Sequence, residues 1–166
     1  GPQWRRDAAA LAHGHRHLLR SHPWITAVVG GRPPLLPSLF RVVEFSLATY
    51  ERAGLNIGEA AQAAAAMSAL VIGFAVLDEA ERSAGARSGL TKEQWQQVHA
   101  PEVLAEVIPE RYPALTRFVE AGDVDPDTAF ATAVDQLLEG IERRTPPFRT
   151  LTQRPPRGRP TPPASG

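Results

Sequence analysis

An all-α domain is the fold class that this sequence predicts, on three observations. Runs of alternating β-branched residues are nearly absent, and the Val28-Val29 pair is followed at once by Gly30-Gly31. Elsewhere apolar residues recur at helical spacing. Third, the periodic segments are bounded by helix start and stop signals, among them His22-Pro23, Gly54 and Asp125-Pro126.

Taken in order, a first helix runs from about Gln3 to Arg20 and stops before His22-Pro23, because a residue preceding proline resists the α region. His22 is expected to end it and to bond locally. A short apolar turn from Trp24 to Val29 leads into a Gly30-Gly31-Arg32-Pro33-Pro34 loop. The second helix spans about Ser38 to Ala53. Leu39, Val43, Leu47 and Tyr50 share one stripe with Phe40 beside it, Phe45 sits on the polar side, and Gly54 ends the helix.

The third helix, about Gly58 to Ser83, is the longest and is apolar on every side until Asp78. Met67, Leu70, Phe74 and Leu77 lie on one side; Ala61, Ala65, Ala69, Ile72 and Val76 lie roughly opposite. Such a helix must be buried on several sides, and in so short a chain one of them is expected to meet another subunit. Gly85 to Gly89 reads as a loop. Thr91-Lys92-Glu93-Gln94 then gives a capping signal for a short helix through Val98.

Two more short helices, Pro101 to Val107 and Pro113 to Ala121, begin with proline. The last helix is the best specified. Asp125 is a natural N-cap, Pro126 takes the first helical position and Asp127 complements the dipole. Phe130, Ala133, Val134, Leu137, Leu138 and Ile141 form one face, and Pro146-Pro147 stop the helix after Arg143-Arg144.

The 166 residues and 18.0 kDa fit one ordinary domain, read as residues 3–144. Lys and Arg total 18 against 18 Asp and Glu, so no net basic field recruits nucleic acid. The absence of cysteine excludes disulfides, thiolate metal sites and thiol nucleophiles. Gly1-Pro2 reads as a protease scar, which places the natural sequence inside a longer protein, and no signal peptide precedes it. Ala60 to Leu77 is apolar enough to raise the question of a membrane span. Its eight alanines and its acidic flanks, Glu59 and Asp78-Glu79, instead favour a buried helix of a soluble, cytoplasmic protein without membrane contact. Thr145 to Gly166, with seven prolines, four arginines and no acid, reads as a solvated, disordered or polyproline tail.

Catalytic chemistry finds no set of residues in defined roles. No Gly-x-Ser-x-Gly, Ser-x-x-Lys or His-Glu-x-x-His motif is present, and the glycines make no phosphate loop. His13 and His17 are one turn apart and could share a metal, but no carboxylate is near them in sequence and His15 points away. No metal site, cofactor or catalytic residue is therefore assigned. Asp78, Glu79 and Glu81 read as the solvated end of an apolar helix.

A series of landmarks follows in order along the chain: Trp4, His22-Pro23-Trp24, Gly30-Gly31-Arg32-Pro33, Leu36-Pro37-Ser38, Arg41-x-x-Glu44-x-x-Leu47, Ala53-Gly54-Leu55, Glu59-Ala60, Val71-Ile72-Gly73-Phe74, Pro113-Ala114-Leu115 and Phe130 through Ile141. Their order and spacing resemble the C-terminal effector-binding and dimerisation domain of TetR/AcrR-type transcriptional regulators. The landmarks cover about residues 4–144. The resemblance implies a helical bundle with a two-helix dimerisation face, and a missing N-terminal helix-turn-helix as the only route to DNA.

The small residues Ala61, Ala65 and Ala69, with Ile72, Val76, Phe130, Ala133 and Leu137, are the expected face of a homodimer. Phe40, Val43 and Leu47 on the second helix and Met67, Leu70 and Phe74 on the third supply bulk between those helices, with Trp95, Tyr112 and Phe118 able to line or lid the space. On residues alone this set reads equally as an ordinary core. The resemblance favours a pocket for a small hydrophobic or aromatic effector. A stand-alone helical small-molecule carrier or enzyme on the same fold, and a purely structural interaction module, are the alternatives.

Overall fold

The computed structural model describes residues 2–25, 37–122 and 124–144. The expected Gly30–Pro34 loop, most of the Trp24–Val29 turn and the Pro/Arg-rich tail lie outside the described residues. Among the described residues six α-helices follow one another: α1 (Gln3–Ser21), α2 (Pro37–Arg52), α3 (Ile57–Ser88), α4 (Lys92–Leu104), α5 (Pro113–Ala121) and α6 (Pro126–Arg144). The fold is all-α, as expected.

α3 is the central element, and α1, α2 and α6 pack on it. Its inward stripe is Ala60, Ala63, Met67, Val71 and Ala75. α1 answers with Trp4, Ala8, Ala12 and Leu19, α6 with Phe130, Val134, Leu138 and Ile141, and α2 with Tyr50 and Ala53. Each set recurs at helical spacing, three, four or seven residues apart, as one face of a helix must. α4 and α5 pack little on this core.

Local chemistry places the helix ends. Asn56 caps α3: its side-chain oxygen accepts from the Glu59 amide at 3.1 Å, while the Glu59 carboxylate accepts from the Asn56 amide at 2.9 Å. Thr91 and Gln94 make the same reciprocal pair ahead of α4, at 3.2 and 2.9 Å. Asp125 accepts from the Thr128 amide at 2.8 Å and from its hydroxyl at 2.9 Å, and these bonds hold its carboxyl below the ordinary carboxylate value. The His22 amide donates to the Leu18 carbonyl at 3.0 Å, where α1 ends.

Two expected breaks are absent. α3 continues through Gly85 to Ser88, and the left-handed residue that ends it is Gly89, at φ 69°. One interior glycine costs only about 1 kcal/mol relative to alanine, and the Gly89 amide still closes onto the Gly85 carbonyl. α4 likewise runs through Pro101 to Leu104, so the separate helices ending at Val98 and Val107 are one. Proline removes a single amide donor and crowds one carbonyl; the chain resumes bonding at once, from the Ala105 amide to the Pro101 carbonyl.

The second helix departs most from its expected burial. Of its apolar stripe only Leu47 and Tyr50 reach the core, whereas Leu39, Phe40 and Val43 are exposed. The buried residues of α2 lie in its C-terminal half, and its first turns are exposed. Phe45, expected on the polar side, is exposed under the Arg52 guanidinium. Leu77 is exposed too, because it stands two residues from Ala75 and so faces away from the inward stripe.

Candidate functional site

Two surfaces of the bundle carry the residues expected at a dimer face and around an effector. The first belongs to α3. This helix is apolar all round, yet within the subunit it buries one stripe only. Ala61, Ala65, Ala69 and Val76 are exposed and Ile72 is half-buried. They recur at four- and three-residue steps, so they form one continuous face turned away from the Met67–Val71 stripe.

On α6, Ala133 and Leu137 are half-buried beside the core stripe, with Ala129 and Gly140 one turn away on either side. Phe130 is not on this surface. It is wholly enclosed, its ring 5.3 Å edge-on from Phe74 and 5.1 Å from His13. Its place on the expected dimer face is corrected: it is the first residue of the inward stripe, one position round the helix from the half-buried Ala129.

The second surface is the one expected to enclose an effector, and its residues fall in several environments. Met67 is core, and Leu47, Leu70 and Phe74 pack partly buried against it. Phe40 instead lines a shallow, open groove of about 550 Å³ on α2, with Arg41, Glu44, Phe45 and Ala48. Trp95 lines a separate half-open hollow of about 490 Å³ at the α3–α4 junction, with Ala84, Leu90, Arg87 and Lys92. Its ring leans on His99, centroids 5.0 Å apart. Tyr112 and Phe118 are exposed, the latter by 58%. The nine residues therefore do not converge on either hollow, and Phe40, Val43, Trp95, Tyr112 and Phe118 present apolar surface outward.

A feature that the sequence reading missed joins α1 to both α3 and α6. Arg16, only 5% exposed, sits between them. Its Nε and Nη2 donate to the two Asp78 carboxylate oxygens at 3.1 and 3.2 Å, and its Nη1 lies 2.9 Å from Asp127. The guanidinium also lies 4.5 Å from the Phe130 ring centre and 5.7 Å from that of Phe74. Asp78 is thus a partly buried ion-pair partner and not a solvated helix end. The available signal was spacing: Arg16 continues the Ala8, Ala12 series at four-residue steps, and Asp78 follows Val71 and Ala75 on the inward stripe of α3.

Among the described residues no three His, Cys, Asp or Glu side chains cluster as metal ligands would. His13 packs edge-on against Phe130, and burial pushes the half-buried His15 below its ordinary 6.5.

Residues 1–145 match the protein family described as the tetracyclin repressor-like, C-terminal domain. The chain belongs to that family. Among curated proteins it is similar to the HTH-type transcriptional repressor DrrR1 of Streptomyces coeruleorubidus, at 29% identity over 140 residues. That match takes in 84% of this chain and 52% of the relative, so the chain spans about half the length of the curated protein it matches. The six-helix architecture and the order of landmarks along α1 to α6 accord with the family. The family takes its description from a repressor's C-terminal domain, which is not an enzyme class.

Proposed function

We propose that this chain is the ligand-sensing, dimerising half of a TetR-like transcriptional regulator, working in the cytoplasm and reaching DNA only through a helix-turn-helix outside this sequence. The observation that carries the reading is the outward face of α3. Ala61, Ala65, Ala69 and Val76 leave a band of small apolar residues on the most apolar helix of the bundle. With Ala133 and Leu137 of α6 beside it, this face would pair with its own copy by two-fold symmetry into a four-helix interface, since small side chains let helix axes approach closely. By length and composition alone α3 could cross a membrane. Its packing against α1, α2 and α6 supports the dimer reading instead.

The effector would be small, flat and largely apolar. Supporting this are Phe40 and Val43 of α2 and Trp95, Tyr112 and Phe118 farther along the chain, each of which leaves a large apolar side chain exposed that a bound apolar molecule would cover. Leu47, Leu70 and Phe74 pack half-buried against the core that includes Met67. The indole and phenol donors of Trp95 and Tyr112 suit an aromatic ligand carrying a few polar atoms.

Titration with the apolar anionic dye 8-anilinonaphthalene-1-sulfonate tests the sensing half of this reading. Saturable binding at one dye per subunit, accompanied by a rise in melting temperature, is expected. Binding that never saturates, or that leaves the melting temperature unmoved, would contradict it.

A further inference from the structure

We propose that Arg16 is the residue through which the position of α1 and the strength of the dimer are coupled. The inference rests on the dimer reading above and adds to it how the face made by α3 and α6 is held in shape.

Between Trp4 and Leu19, the bulky core residues at its two ends, the contact of α1 with the core is smooth. Ala8 and Ala12, both 1% exposed, offer no bulky side chain that would interlock with a neighbour. Apolar contact of that kind is non-directional and tolerates sliding. A guanidinium fork on a carboxylate is directional, because two parallel hydrogen bonds fix both distance and angle.

Arg16 makes such a fork to Asp78 of α3 and reaches Asp127 in the first turn of α6 at the same time. Its flat face is held by Phe130 of α6 and Phe74 of α3. One planar group from α1 therefore touches both helices of the proposed dimer face, from the side facing away from the partner. Arg20 doubles the link at 2.9 Å to Asp127 and 3.7 Å to Asp78. Arg5, at the other end of α1, pairs with Asp135 at 3.3 Å and Glu142 at 3.1 Å.

A shift of α1 must then either carry Asp78 and Asp127 with it, changing the relation between α3 and α6, or strip a buried cation of its partners. The second course is strongly unfavourable. Displacement of α1 and dimer affinity are consequently linked, and by thermodynamic reciprocity dimerisation also restrains α1.

The test is the dimer dissociation constant, measured by sedimentation equilibrium at a temperature where circular dichroism shows each variant fully helical. Arg16→Met keeps length and packing but removes the fork, Arg16→Lys keeps only the charge, and Asp127→Asn weakens the α6 link from an exposed position. Arg52→Met is the control, because Arg52 pairs with Asp7 at 2.9 Å and ties α1 to α2 instead. Arg16→Met is expected to raise the dissociation constant about tenfold or more, with Arg16→Lys and Asp127→Asn intermediate and Arg52→Met unchanged.

A dimeric parent whose dissociation constant is unmoved in the folded Arg16 and Asp127 variants would overturn the coupling alone. So would an equal shift in Arg52→Met, which would mark general loosening. Should Arg16→Met fail to fold, Arg16→Lys and Asp127→Asn decide the matter by the same criterion. A parent that is monomeric throughout would overturn the dimer reading and this coupling together.

Discussion

Arg16 and Asp78 meet as a fork between the first and third helices, Nε to Oδ2 at 3.1 Å and Nη2 to Oδ1 at 3.2 Å, with side chains 6% and 16% exposed. Removing one partner leaves the other charge with little water to replace it. Arg16→Met is therefore expected to destabilise the fold by about 3 kcal/mol, toward the low end for a broken buried pair because Asp78 keeps some solvent. Arg16→Met combined with Asp78→Leu is expected to recover part of that loss, since no lone charge remains. Urea unfolding of the two single variants and the double variant measures both quantities.

Phe130 is the centre of the α6 contact and is fully enclosed. Phe130→Ala removes its edge contact with Phe74 and the ring beneath Arg16, and leaves a cavity. A loss of about 3–5 kcal/mol is expected. A loss under about 1 kcal/mol, measured by thermal or urea unfolding, would mean that Phe130 lies at a surface after all.

Ala69 is exposed within the subunit, so the subunit itself has room for a larger side chain there. Ala69→Glu is expected to split the dimer while leaving the monomer helical, because the charge would be unpaired and desolvated only in the interface. Light scattering beside circular dichroism distinguishes this from unfolding. Retention of a full-strength dimer would place the interface elsewhere.

Acid should weaken the fold in two stages. Burial keeps His15 neutral in the folded state, so its pKa there is below 6.5; the unfolded chain takes up a proton as pH falls past that value while the folded one resists. The stability that His15 contributes is complete above pH 6.5 and is lost as pH falls toward its folded pKa. Asp125, depressed below 3.8 by its Thr128 bonds, contributes above 3.8 and ceases to do so as pH falls through its lower folded value. At the alkaline end, burial raises Tyr50 to about 12, so stability falls as pH climbs from 10 toward that figure. Urea midpoints across pH give the profile, and His15→Gln should erase the first stage alone.

Helix class, most boundaries and the caps at Thr91 and Asp125 were legible because they depend on neighbours in sequence. Thr91 to Gln94 and Asp125 to Thr128 are three-residue relations; so is Asn56 to Glu59, which had not been anticipated. The outward alanine band of α3 was legible for a similar reason, since helical period alone separates Ala65 from Met67. Period does not say which side of a stripe meets a partner. Phe130 and Ala133 share an apolar arc on α6, and only packing against α1 and α3 assigns the former inward. Nor does it show where a helix leaves the core, so Phe40 and Val43 were expected to be enclosed along with Leu47 and Tyr50. Asp78 read as a solvated helix end and Arg16 carried no reading at all, because each is charged; their burial depends on meeting one another across 62 positions of chain.

Sedimentation equilibrium of the unmodified chain at tens of micromolar is the most direct test of the account. A species of twice the 18.0 kDa chain mass is predicted, with its association abolished by Ala69→Glu. A single species of 18.0 kDa across that range would contradict the dimer face on α3 and α6.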